Sequence, residues 1–177
     1  TNTPISVSFY RGVNINGDAI TINGNGWLSG DDPSFVTNGF VNSNPWVTKV
    51  PAADAETETM LSTFVEHWAH NMSLSNVAAN TYSLYLYTLQ TWNNPTPATF
   101  YLSAEGQSIL TYTPTPKNAG GWVRHGPFMV TVNDGTLNIS TVGLVNISGF
   151  ELWQHGGIPS TPTNTPTHTA TPTATST

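Results

Sequence analysis

Tyr82-Ser83-Leu84-Tyr85-Leu86-Tyr87-Thr88-Leu89 is the stretch on which the fold turns. Leu84 and Leu86 alternate with Tyr85 and Tyr87, a period of two that places leucines on one face of a strand and tyrosines on the other. The same alternation recurs at Thr99–Leu102, Phe128–Val132, Thr136–Ser140 and Val145–Leu152. Asn16-Gly17, Asn23-Gly24, Asn38-Gly39, Glu105-Gly106 and Asn133-Asp134-Gly135 punctuate these runs with turn chemistry. Ala53 to His70 is the one segment that admits a helix, but Thr, Phe and Val between Met60 and Trp68 favour a strand preceded by a polar loop. About ten short strands without long helices between them predict an all-β chain, an antiparallel β-sandwich of jelly-roll type. The echo of Leu137-Asn138-Ile139-Ser140 in Val145-Asn146-Ile147-Ser148 predicts two neighbouring strands. With leucines inward, Tyr85 and Tyr87 would form an exposed stripe, either a sugar platform or a contact surface.

Charge narrows the function. Of 177 residues only 8% are charged, with Lys+Arg 4 against Asp+Glu 10 and a net charge of −6, where about 25% charged is usual. Arg11, Lys49, Lys117 and Arg124 cannot form a basic patch, so no nucleic-acid partner is expected. No apolar run approaches the roughly 18 residues of a span, so no membrane partner is expected either. Six Trp, six Tyr and seven Phe argue against disorder. The absence of cysteine removes thiol nucleophiles, Cys-ligated zinc and disulfides. A surface poor in Lys, Arg and Glu, a Thr/Pro tail and a start at Thr1 point to a processed, exported chain, secreted or displayed at a cell surface.

Three segments follow from composition. Residues 1–4 read as the end of a preceding linker, 5–157 as the folded domain and 158–177 as a Thr/Pro-rich linker or extended tail. From Thr161 onward every odd position is Thr, and no large apolar residue follows Ile158. Such a segment cannot bury enough surface to offset its ordering entropy. Dense Thr with Pro suits O-glycosylation, with Thr163, Thr165, Thr167 and Thr169 as the first candidates. Asn71, Asn138 and Asn146 head Asn-x-Ser sequons.

Five motifs, in order along the chain, resemble malectin-like domains. Phe9 to Gly17 followed by Ala19 to Gly24 and Trp27 resembles their opening strand pair and aromatic. Asn80 to Tyr87 resembles their central Gly-x-Tyr-x-Val-x-Leu strand, with Asn80 in place of the glycine. Ala98 to Gln107 resembles the Phe-x-Val-x-Val-Asn-Gly hairpin, while Asn133–Ile139 and Ile147–Leu152 resemble the closing strands. The resemblance implies a jelly-roll carbohydrate-binding module, common as an accessory to exported bacterial proteins, with a sugar site of aromatics and an acid on loops at one end. Thr63 to Trp68 stands where the family has an aromatic-Gly-Tyr stretch, so sugar specificity is not carried over.

A neutral sugar needs a flat apolar surface for its C–H face and amides or carboxylates for its hydroxyls. Trp27, Trp68, Trp92 and Trp122 all fall near strand ends. Gln90 and Asn93 flank Trp92, Arg124 follows Trp122, and Tyr85 and Tyr87 complete the candidate carbohydrate-binding set. A tryptophan in a β-sandwich is more often core, so each is weighed against that reading. No catalytic residue is assigned: Glu66 and Glu151 are the only acids within strands, and neither a Gly-x-Ser-x-Gly elbow nor a His-Glu-x-x-His motif occurs. No metal or cofactor is expected; Asp31-Asp32 could hold a structural Ca²⁺, although solvated loop carboxylates are the simpler reading.

The sequence therefore predicts a non-catalytic carbohydrate-binding module of an exported multidomain protein, partnered by glycan or polysaccharide. The alternative is a structural subunit or stalk domain of an extracellular filament, sheath or surface layer. There, copies of the chain would pair and the tail would be ordered by glycans or by a neighbouring subunit.

Overall fold

In the computed structural model, residues 6–93, 96–114 and 119–156 are described. Eleven strands and one short helix run in the order β1 (Val7–Asn14), β2 (Ile20–Ile22), β3 (Asn25–Ser29), β4 (Phe35–Thr37), β5 (Phe40–Ser43), α1 (Ala55–Leu61), β6 (Thr63–Ser75), β7 (Asn80–Leu89), β8 (Phe100–Ala104), β9 (Gln107–Tyr112), β10 (Trp122–Val132) and β11 (Thr136–His155). The chain is an all-β sandwich, and β11 joins its two layers. The C-terminal half of β11 pairs with β7 and β1, giving a first layer ordered β10-β7-β11-β1-β3-β2. Its N-terminal half pairs with β6 on one side and β8 on the other, with β4 and β5 beyond β6 and β9 beyond β8.

Two register shifts in β11, at Val142/Val145 and at Ile147/Gly149, let one strand serve both layers. Bulges bend a strand and raise its twist, which is how strands turn sandwich corners. Gly143 makes the first possible: its φ is +93°, and a Cβ there would lie 2.6 Å from the Thr99 carbonyl oxygen.

Alternation places the core as expected. Tyr82, Leu84 and Leu86 are fully buried and meet Val13, Phe150 and Leu152 from their own layer and Met72, Leu74, Leu102, Leu137 and Ile139 from the other. Each such side chain contributes roughly 1.5–3 kcal/mol by leaving water. The turn signals are realised too: Asn16, Asn23 and Glu105, with Gly24, Gly106 and Gly135, adopt positive φ.

Three expectations are corrected. The polar loop before β6 is helical. Asp54 caps α1 by accepting from Thr57 N at 2.8 Å, which holds its carboxyl below the usual range, and Glu56 and Glu58 complement the helix dipole. Thr57, Met60 and Leu61, at helical spacing, are its buried side; seven residues are too few for periodicity to show in the sequence. Second, the echoed Asn-Ile-Ser segments are not neighbouring strands but the two halves of β11, one on either side of its first bulge. Third, the pairing is not wholly antiparallel, since β1 and β3 run parallel with Gly12 opposite Trp27. The Trp27 ring lies directly against Gly12, leaving no space for a side chain.

Trp27 anchors a second, smaller core with Ile22, Met60, Leu61 and Tyr87, between α1, the β2–β3 hairpin and the outer face of the first layer. The expected exposed tyrosine stripe is therefore covered: Tyr87 is 8% exposed. The linker and tail lie outside the described residues, and with them Thr163, Thr165, Thr167 and Thr169.

Candidate functional site

Where β7 ends, the β7–β8 and β9–β10 connections and the first bulge of β11 enclose a cavity of 220 Å³ at one end of the sandwich. Its walls are apolar: Trp68 of β6, Trp92, Pro97, Phe100, Tyr112, Pro114 and Val123. Trp68 is 63% exposed and Trp92 41%, although each offers a large apolar surface. Polar groups are few and uncharged. Gln90 donates from Nε2 to the Trp92 carbonyl at 3.1 Å, tying the loop to its strand. Asn146 donates from Nδ2 to Thr91 Oγ1 at 3.0 Å, and its buried Oδ1 has no partner. No Lys, Arg, His, Asp or Glu is among the described residues that line the cavity.

His125 sits behind this wall. Its Nε2 lies 2.9 Å from Thr88 Oγ1 and its ring meets Tyr112 edge-on at 4.8 Å. Burial lowers its pKa to about 4, so the ring is neutral at pH 7 and stiffens the wall without charging it. His70, between the layers, is likewise held neutral by burial, with Nδ1 2.9 Å from Thr141 Oγ1.

Eight of the nine candidate residues divide between two places. Trp68, Gln90 and Trp92 line the end cavity, and Asn93 stands beside it, its Oδ1 accepting from Ala119 N at 2.8 Å. Tyr85, Tyr87, Trp122 and Arg124 lie instead on the outer face of the first layer. There Arg124 donates from Nε and Nη2 to Glu151 Oε1, at 2.8 and 2.6 Å, and its guanidinium lies 3.4 Å from the Tyr85 ring centre. Trp27 belongs to neither surface: at 3% exposure it is core, removed from ligand contact by α1 and β2.

Sequence reasoning missed Phe100, Tyr112 and Asn146. Asn146 was legible only as a sequon, yet it is 4% exposed and its amide is engaged, so it is no accessible glycan acceptor; Asn71 and Asn138 are exposed on the second layer. The signal that could have found it is Gly143, whose bulge turns Leu144 to Asn146 toward the cavity. Asp32 spends one carboxylate oxygen on Ser34, accepting from its N at 2.9 Å and its Oγ at 2.5 Å. No cluster of three or more His, Cys, Asp or Glu that could hold a metal occurs among the described residues.

No protein-family model and no curated protein matches the chain. Solved structures share its fold. The extracellular domain of ANXUR1 from Arabidopsis thaliana aligns with a TM-score of 0.65 and 10% identity, over 88% of this chain and 51% of that one. The complex of the plant peptide RALF23 with FER and LLG2 contributes a match with a TM-score of 0.63 and 13% identity, over 87% and 50%. A calcium-binding mutant of Bacteroides uniformis beta-glucuronidase 2 aligns with a TM-score of 0.60 and 14% identity, over 83% of this chain and 18% of that one. The chain thus spans about half, or less, of the proteins it resembles. At these identities the likeness is one of fold, in keeping with the malectin-like pattern of strands.

Proposed function

We propose that this domain is a non-catalytic carbohydrate-binding module of an exported protein, taking a neutral glycan at the end cavity. One observation carries the reading: two exposed tryptophans, Trp68 and Trp92, flank an uncharged apolar cavity that holds an unpartnered amide oxygen on Asn146. Stacking needs the indole faces, hydroxyl recognition needs amides, and a neutral ligand needs no countercharge. The fold likeness to plant extracellular domains supports an extracellular setting. A glycan array on residues 5–157, followed by calorimetry of the best hit with the wild type and Trp92→Ala, tests it. Salt-independent binding weakened in the variant is expected; failure of every glycan to bind would overturn the reading.

The assembly alternative draws support from the outer face of the second layer, where Val36, Tyr101 and Val142 are exposed among serines and asparagines. A concentration-dependent rise in mass by light scattering, abolished by Val142→Lys, would favour it.

A further inference from the structure

We propose that the outer face of the first layer carries a second saccharide site, independent of the end cavity and not dependent on its glycan reading. A cleft of 570 Å³ opens there between the β2–β3 hairpin, the start of α1 and strands β7, β10 and β11. At its base Glu151, 5% exposed, receives three donors on a single oxygen. Arg124 Nε and Nη2 and the Tyr87 hydroxyl, at 2.9 Å, all reach Oε1. A side-on guanidinium–carboxylate pair would use both oxygens. Here the same edge, Nε with Nη2, converges on Oε1 alone, and among the described residues no hydrogen bond reaches Oε2 or Arg124 Nη1.

A carboxylate offers acceptor sites on both oxygens, so Oε2 keeps its capacity to accept from a donor that enters the cleft. Oε2 thus offers an acceptor to the cleft, while Nη1, on the far side of the guanidinium from Glu151, offers a donor; both are groups that bind hydroxyls. The groups that hold them are pre-set. The guanidinium rests on the Tyr85 ring, Trp122 Nε1 donates to the Pro51 carbonyl at 2.6 Å, and the Trp122 ring stacks on Tyr87 at 6.4 Å and 20°. Trp153, half-buried in the wall, has an indole N–H with no partner. Ordering costs on binding are correspondingly low.

Charge selects the ligand class. The lining sets Arg124 against two carboxylates, which disfavours an anion, and both carboxylates are already engaged, Glu151 by Arg124 and Tyr87 and Asp54 as the cap of α1, which leaves little to hold a cation. A neutral polyhydroxyl ring suits the aromatic walls: its apolar face lies on Trp122 or Trp153 and its hydroxyls reach Oε2, Nη1 and the Asn25 amide at the rim.

The test follows the side-chain indole N–H resonances of the ¹⁵N-labelled full chain. It is titrated with methyl glucoside, galactoside, mannoside and xyloside, and with cellobiose and maltose, up to tens of millimolar. At least one sugar should shift Trp122 and Trp153 saturably, do so equally in Trp92→Ala, and bind about tenfold more weakly to Glu151→Gln and to Asn25→Ala. Asn25→Ala alters only the rim and keeps the test valid should Glu151→Gln misfold. No sugar shifting these two resonances, or a shift untouched by the folded variants, would overturn the proposal. Shifts confined to Trp68 and Trp92 would overturn it while upholding the end cavity; shifts confined to Trp122 and Trp153 would do the reverse.

Discussion

The end cavity and the face cleft both bring tryptophans together, but by opposite means. At the end, Trp68 and Trp92 stand in solvent beside a wall without charge. On the face, Trp122 and Trp153 are half-buried, and a salt bridge sets the floor. The difference teaches that an aromatic residue near a strand end is shaped by what the next element does. Loops leave Trp92 open, whereas α1 and β2 close over Trp27 and shelter Tyr87.

The sharpest way to break this contrast is Trp27→Ala, which should cost about 3–5 kcal/mol of stability as a large buried side chain lost from beneath the cleft. Urea unfolding measures it, and a loss below about 1 kcal/mol would return Trp27 to the ligand-facing class. Acid should strain the two regions unequally. His70 and His125 have folded pKa values of about 4, below the unfolded value of 6.5, so the unfolded chain binds more protons between these limits. Stability is complete above pH 6.5 and falls as pH drops toward 4, by about 2 kcal/mol per histidine at pH 5. His125→Gln should flatten that slope; because His125 backs the end cavity and no histidine lines the described face cleft, the effect should register at Trp92 first.

Trp92→Ala should remove roughly 1–3 kcal/mol of glycan binding while leaving unfolding nearly unchanged. Trp122→Ala should do the opposite at the end cavity, lowering the melting temperature by loss of its bond to Pro51 with no effect on binding there. Calorimetry and thermal unfolding on both variants decide the pair, and equal losses would merge the two regions into one site. Smallest of all, deleting residues 159–177 should move the melting temperature by no more than a few degrees, since that segment holds no large apolar side chain. A loss of cooperative unfolding would make the tail part of the domain.

Period two made the inward face of β7 legible, because Leu84 and Leu86 can satisfy their burial only between layers. It could not reveal that the outward face is also covered, since α1 is a seven-residue helix with only three buried residues in a polar segment. Gln90 and Trp92 were legible together because loop chemistry, Asn93-Asn94-Pro95, marks the strand end beside them, whereas Trp68 lies within β6 rather than near a strand end as expected and joins them only in the fold. Arg124 and Glu151 were not legible as a pair: 27 residues separate them, and only the register of β10, β7 and β11 brings them face to face. Asn146 looked like a modification site because a sequon carries no record of burial.

The strand shared by both layers also sets an order of events. β11 closes against β1 at one end of the sequence and against β6, β7 and β8 in its middle, so the second layer waits for residues up to Ile147 and the first for residues up to His155. A chain emerging from a ribosome or threading a narrow channel would carry four strands, β1, β6, β7 and β8, each with an edge that only β11 can cover. Such late, long-range closure makes folding slow and leaves strand edges exposed meanwhile. A surface almost without charge gives those edges little electrostatic protection, so the time before β11 arrives is when this protein is most prone to aggregate.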